Sequence, residues 1–496
     1  MSFSSVSFIL FMIAVFLMYW GIPHKFRYIL LICANLVFYA SFGQEQLVVL
    51  ICMITGAYGL SLLIEKKDGE GRCFSDKLSF CVGIIALTLP LLIYKYLGFA
   101  IYAVGKVFSH FLPALDEHTI KLMALVGISF YTFELLSYLI DVYKGKIVAE
   151  RNPFKLFVFA SFFANITSGP IERAGSFIPQ IDKEKSFSYD RTVSGLRLVL
   201  LGMVKKICGA DVLKQYVDAV FGNIYAYKGP AFIVAIVLYT YEIYLDFSGY
   251  TDMARGFAYT LGFELSENFK APYLSNGIKE FFGRWHISLS QWLRDYIYIP
   301  LGGSRCSKLR KYINLMVTFL VSGIWHGASF TFIVWGLLHG VYQCVADMIG
   351  IDKRIKTKVR QDNTEMQSDK VIDSGLLFKC LRIIVTFCLV SFAWMFFRAN
   401  SLSDAKYIAL NMFFGNNFYG QMLQMGFLTV AAYVSVIVII VLTVVYDILS
   451  ERMDILESFA KLKLPVRWIC YIVAGVLVVV LRSHVGAGAD FIYFSF

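Results

Sequence analysis

Residues 230–250 read PAFIVAIVLYTYEIYLDFSGY, and they hold both halves of the argument. From Ala231 to Tyr241 no charge appears, and the apolar run over 230–248 has the length of a bilayer-crossing helix, about 20 residues. Then Glu242 and Asp246 break in. They stand four residues apart and so share one helix face. A carboxylate at membrane depth is costly, faces the protein interior and marks a functional site by default. A polar seam between helices is the plainer reading of the same pair.

The first half of that pattern repeats along the chain. Candidate spans cover 6–23, 27–42, 46–64, 79–109, 120–142, 154–168, 193–210, 230–248, 312–326, 329–349, 376–397, 426–448 and 465–482. Several are short or carry ionisable residues, so the expectation is an all-α polytopic membrane protein with about ten to twelve crossings plus re-entrant pieces. Composition agrees. Of 496 residues 58% are hydrophobic and 16% charged, against about 25% charged in a globular chain. The first span lacks a basic leading region and a small-residue cleavage site, so it reads as a span and not a removable signal.

The net charge of +11 comes from 46 Lys and Arg against 35 Asp and Glu. A nucleic-acid binder gathers such charge on one solvated face. Here it sits in short loops between apolar runs, which excludes nucleic acid as the expected partner and makes the charge a topology signal. Basic loops stay cytoplasmic. His24-Lys25-Phe26-Arg27 therefore reads as inside, Gly43-Gln44-Glu45-Gln46 as outside, and Lys66, Lys67, Arg72 and Lys77 as inside. Arg305, Lys308, Arg310 and Lys311, and then Lys353, Arg354, Lys356, Lys358 and Arg360, also read as inside, with two apolar segments between them. The ten cysteines form no CxxC pair and fall mostly in apolar segments, as small buried hydrophobes do. The chain reads as one membrane domain over 1–496, with N-terminal spans in 1–168, a motif-bearing core in 169–349, a polar cytoplasmic loop in 350–375 and C-terminal spans in 376–496.

The second half of the pattern concentrates between Tyr239 and Gly340. Asp252 and Arg255 are three apart and placed to pair. Phe281 to Arg305 holds Arg284, His286, Arg294 and Asp295 among Trp and Tyr residues, which fits an interfacial or re-entrant helix and not a span. Arg284 and Arg294 are candidate contacts for a phosphate-bearing ligand, because guanidinium pairs bidentately with phosphate. Headgroup contact or an ion pair with Asp295 is the alternative. In Ser322-Gly323-Ile324-Trp325-His326-Gly327-Ala328, His326 stands fifteen residues beyond Lys311, about 22 Å along a helix and inside a hydrocarbon core of about 30 Å. It is a structural hydrogen-bonder or a catalytic base. Gly327 lets another group come close. Three of the seven histidines, His286, His326 and His339, fall in this region, and histidine suits general-base work near neutrality. No Cys or carboxylate lies at ligand spacing from them, so no metal is expected. Walker A, Gly-x-Gly-x-x-Gly, Gly-x-Ser-x-Gly and His-Glu-x-x-His patterns do not occur. A transporter using Glu242, Asp246 and Asp252 is the rival from another class, though the inverted repeat it would carry is not seen.

Taken in order, these pieces resemble the membrane-bound O-acyltransferase family, in particular its bacterial alginate and peptidoglycan O-acetylation branch. The matching stretches are Gly169 to Arg173, Tyr244 to Tyr250, Asn268 to Tyr273, Arg284 to Gly303, Ser322 to Ala328, Trp335 to Gly340, Trp394 to Ala399 and Phe491 to Phe496. The resemblance implies a ring of helices around a central tunnel, with His326 at its constriction as catalytic base or relay and His286 as the family's second histidine. Arg284, Arg294, Trp325, Asp246, Tyr250 and Ser322 become the donor- or substrate-binding candidates. It also implies a bacterial inner-membrane, multi-pass location with no bound cofactor. An acyl group, acetyl or else D-alanyl for teichoic acid, would come from acetyl-CoA or an acyl carrier protein in the cytoplasm. It would then pass, through an extracytoplasmic esterase-like partner, to a polysaccharide.

Overall fold

The apolar runs fold as helices, and the described residues contain no strand beyond one isolated bridge between Phe269 and Trp285. A computed structural model describes residues 1, 3–65, 74–107, 125–350, 372–415 and 417–485. Lys66, Lys67 and Arg72 of one basic cluster, the basic residues from Lys353 to Arg360, and the ending Phe491 to Phe496 lie outside the described residues.

Six helices among the described residues are long and apolar enough to cross a bilayer: Gln44–Ile64, Phe74–Val104, Pro230–Thr260, Gly375–Arg398, Val430–Ser450 and Leu464–Ser483. The chain is a multi-pass membrane protein. Along the Leu464–Ser483 helix Ile469, Ile472 and Val479 stand exposed, an apolar surface that only a lipid environment accommodates. Val6–Gly21, His24–Ala40, Lys308–His326 and Phe330–Met348 are nearly as long. The expected span at 154–168 is not one. Only Pro153–Ser161 is helical there, nine residues, or about 14 Å, less than half the hydrocarbon thickness.

The chain forms two compact units. The first takes residues 1–203 and 249–267 among those described. Its core gathers Phe3, Phe8, Phe38 and Phe257 in edge and tilted ring contacts. Two buried polar side chains there are paired, as an apolar interior favours: Asn35 donates to Ser161 and accepts from the Phe163 backbone N–H, and Glu134 accepts from Asn165 and the Glu172 backbone. Gly202 meets Gly249 so closely that a Cβ on Gly202 would stand 2.5 Å from the Gly249 carbonyl oxygen. Small residues bring helices together in just this way in bilayers.

The second unit takes 204–248 and, among the residues described, 268–485. Near its start a π-helical turn, Val204–Ala210, carries Lys206 inward. Its ammonium lies 2.9 Å from Asp211 and 2.5 Å from Asp246. An unpaired charge could not remain at that depth. Farther on, Ser307 caps the Lys308–His326 helix and Ser329 caps Phe330–Met348. The two helices form a hairpin pressed together at Gly323 and Gly336, where either added Cβ would fall within 2.4 Å of a backbone oxygen of the other helix.

Candidate active site

Where the sequence suggests one re-entrant helix, the chain builds two short ones, Ile278–Arg284 and Ile287–Leu293, followed by a π turn at Arg294–Tyr298. The break falls at His286, which adopts φ +43°, ψ +55°. Left-handed backbone is uncommon outside glycine, although histidine tolerates it better than most residues. The cause is long-range. Phe269 bridges Trp285, the Lys270 N–H donates to the Arg284 carbonyl, and Ile287 and Ser288 donate to the carbonyl and side-chain oxygens of Asn268. Two separate motif stretches, Asn268 to Tyr273 and Arg284 to Ser288, thereby clasp each other and fix His286 between them.

His286 and His326 both open onto one cavity of about 650 Å³. It follows a single stripe of the Lys308–His326 helix, since Lys311, Leu315, Thr318, Phe319, Ser322 and His326 all line it. That spacing of three and four residues is one helix face. The cavity therefore runs along about 22 Å of helix, from the first turn to the last. At the Lys311 end its wall is polar, with Lys311 held 2.6 Å from Asp347 and Gln343 nearby. Lys279 and Arg294 line it as well. Leu289, Leu293 and Phe282 supply apolar wall, and His326 and Trp335 meet edge to face at 4.9 Å.

Both histidines are buried, His286 1% and His326 3% exposed. His286 sits between Phe247 at 4.7 Å and Trp325 at 5.9 Å, ring to ring. Burial alone pushes its imidazole down to about 3 from 6.5, which keeps it neutral and able to accept a proton. His339, the third histidine of the cluster, does not line the cavity. It is fully buried behind Trp335, 4.8 Å away, among Phe282 and Tyr342.

The other expected residues separate into groups. Ser322 and Arg294 line the cavity, and Arg294 also pairs with Asp295 at 2.9 Å. Trp325 backs both histidines without lining it. Arg284 turns away, paired with Glu280 at 2.7 Å and with Glu451, and not with Asp295. Asp246 is neutralised by Lys206. Tyr250 belongs to the first unit, its ring tilted against Phe3 at 5.6 Å. Asp252 and Arg255 approach to 3.8 Å. Glu242 is buried, with Arg398 and Lys214 among the opposing charges that act on it. Among the described residues no three His, Cys, Asp or Glu side chains come together as a metal site. Lys279, Gln343 and Asp347 are lining residues that the sequence did not single out, and Lys311 carried there only a topological meaning. For Lys311, Gln343 and Asp347 the signal available was their helical spacing from His326 and Trp335, which means nothing until the two helices are known to face each other.

Residues 149–355 match the model of the membrane-bound O-acyltransferase family. A probable alginate O-acetylase of Pseudomonas aeruginosa is 34% identical over 408 residues, 82% of this chain and 73% of the relative. A peptidoglycan O-acetyltransferase of Helicobacter pylori is 31% identical, covering 77% of this chain and 73% of the relative. A teichoic acid D-alanyltransferase of Bacillus subtilis is 30% identical over 53% of this chain and 66% of the relative.

Proposed function

The chain belongs to the membrane-bound O-acyltransferase family, and from that premise we propose that it moves an acetyl group from a cytoplasmic thioester through the bilayer for O-acetylation of an extracytoplasmic polysaccharide. The observation that carries this reading is the single cavity joining a basic mouth at Lys311 to two buried histidines, one at the opposite end of the same helix. The mouth lies beside Arg305, Lys308 and Arg310, on the side that the charge rule makes cytoplasmic. A donor such as acetyl-CoA or an acyl carrier protein would set its phosphates against Lys279, Arg294 and Lys311, where Arg pairs bidentately. Its thioester arm would follow the apolar wall past Ser322 to His326.

At His326 the neutral imidazole takes the proton of an acceptor hydroxyl as its oxygen attacks the thioester carbon. The C–S bond breaks, the C–O ester forms, and the proton passes to the departing thiolate. An acyl-histidine relay would reach the same products in two steps. His286, fixed by the Asn268 clasp, lines the same cavity as a second neutral base or positioning group. Arg284 stabilises the clasp, since it ties the end of its helix to Glu451. The acceptor would be reached from outside the inner membrane, through an esterase-like partner that hands the acyl group to the glycan.

Proteoliposomes holding the full chain and fed labelled acetyl-CoA on the Lys311 side test this. Free CoA should appear on the donor side and label on an external glycan or partner. His326→Ala should lower transfer by about 10²–10⁴-fold, the usual worth of a general base, with membrane insertion unchanged. Near-normal transfer by that variant would remove His326 from the chemistry. Label crossing the membrane as intact acetyl-CoA would point to a transporter.

A further inference from the structure

Aromatic rings close the deep end of the cavity. His326 and Trp335 line it, whereas Phe332, Trp394 and Phe397 do not and stand behind them. Phe397 meets His326 at 5.2 Å, Phe332 at 4.7 Å, Trp335 at 5.5 Å and Trp394 at 5.1 Å. Trp335 stacks on Trp394 at 5.5 Å. All four rings are buried. Phe332 is pressed onto the backbone beside the histidine, because a Cβ on Gly327 would stand 2.2 Å from its ring. The charge at this end is as restricted as the space. Asp347, the one carboxylate lining the cavity among the described residues, sits at the opposite end with Lys311.

We propose that this ring wall selects the acyl group, admitting an uncharged two-carbon acetyl at His326 and refusing both longer chains and an α-amino acyl group such as D-alanyl. The proposal rests on the acyl-transfer reading of the cavity and settles the acyl class within it. A thioester carbonyl at His326, with its arm lying toward Lys311, points its acyl carbons at the wall. Each added methylene must displace a ring packed on three others, and close-packed interiors do not yield that volume freely. A D-alanyl group adds two heavy atoms to acetyl, as butyryl does, and its ammonium would in addition leave water with no carboxylate to meet it. Cation–π attraction to the rings opposes that loss, so the D-alanyl donor is part of the test.

The full chain in proteoliposomes is given coenzyme A thioesters carrying acetyl, propionyl, butyryl or D-alanyl groups, with alginate oligosaccharides outside. Thiol release above the His326→Ala background is read for each. The wild type should use acetyl at least about 10-fold faster than butyryl, in line with 10–200-fold per methylene in an apolar pocket, and should use D-alanyl no faster than butyryl. In Phe332→Ala and in Phe397→Leu the butyryl-to-acetyl ratio should rise at least 5-fold, while D-alanyl stays refused because added room does not pair its ammonium. The ratio is taken within each variant, so it does not depend on how much folded protein survives. Equal use of acetyl and butyryl, or of acetyl and D-alanyl, by the wild type overturns the proposal even if neither variant folds. So does an unchanged ratio in a folded variant. No release above background from any donor would instead overturn the acyl-transfer reading itself.

Discussion

His286 carries two costs at once, a left-handed backbone and a desolvated ring. Strain of this kind persists only where surrounding structure over-determines it, and the bonds from Asn268 and the Phe269 bridge do that here. The buried ring also has a measurable consequence. Its pKa falls from 6.5 to about 3 on folding, so between those values the unfolded chain binds a proton that the folded chain does not. Stability therefore falls as the pH drops below about 6.5, at up to about 1.4 kcal/mol per pH unit for this one group, and the fall ends near pH 3. His286→Asn keeps a residue that tolerates the left-handed backbone and removes the titration. Its melting temperature in detergent should be lower than wild type at pH 8, from lost ring packing against Phe247 and Trp325, and should decline less steeply between pH 6.5 and 4.5. Parallel declines in the two proteins would show that His286 is already accessible to protons in the folded state.

Elements were the most legible part of the sequence, and their meetings the least. The apolar runs located the helices because bilayer thickness fixes their length, as at 230–248 and 465–482. The break at His286 left no local sign, since no Gly or Pro stands within two residues of it and the clasp that imposes it begins eighteen residues upstream, at Asn268. The glycines at 323 and 336 were visible, but not that they face each other, because a glycine on a helix records proximity without naming its partner. Asp246 shows the same gap: read alone it is a site carboxylate, and only the fold reveals Lys206 beside it. The hairpin gives the test at this scale. Gly336→Ala would set a Cβ 2.3 Å from the Phe319 carbonyl oxygen, a backbone atom that cannot swing aside. Overpacking of this kind costs about 1–3 kcal/mol. Because the hairpin brings His326 against Trp335, acyl transfer should fall together with thermal stability. Gly59→Ala, where nothing lies within 4 Å of the added methyl, should leave both near wild type. If the two alanines behave alike, the close approach at Gly336 is not what positions the histidine.

For the molecule as a whole, direction is the property that matters, since transfer across a bilayer is defined by which end of the cavity meets the donor. The excess of 46 basic over 35 acidic residues is informative only through placement. By the charge rule Arg305, Lys308, Arg310 and Lys311 would put the start of the Lys308–His326 helix in the cytoplasm, and the same helix carries the cavity to His326 at its far end. On the proposed reading Lys311 would have two roles from one charge, orienting the chain and facing the donor's phosphates. A native reporter lies within that basic turn, because Cys306 is exposed. With the other nine cysteines replaced, Cys306 should react with a membrane-impermeant maleimide in inside-out vesicles and stay unreacted in intact cells. A cysteine placed at Phe330, exposed just past the other end of the helix, should show the reverse, with faster labelling from outside. Labelling of Cys306 from outside would invert the helix and place the basic mouth away from cytoplasmic thioesters. In that event the cavity, the histidines and the ring wall would keep their geometry, but the donor would have to be an extracytoplasmic one.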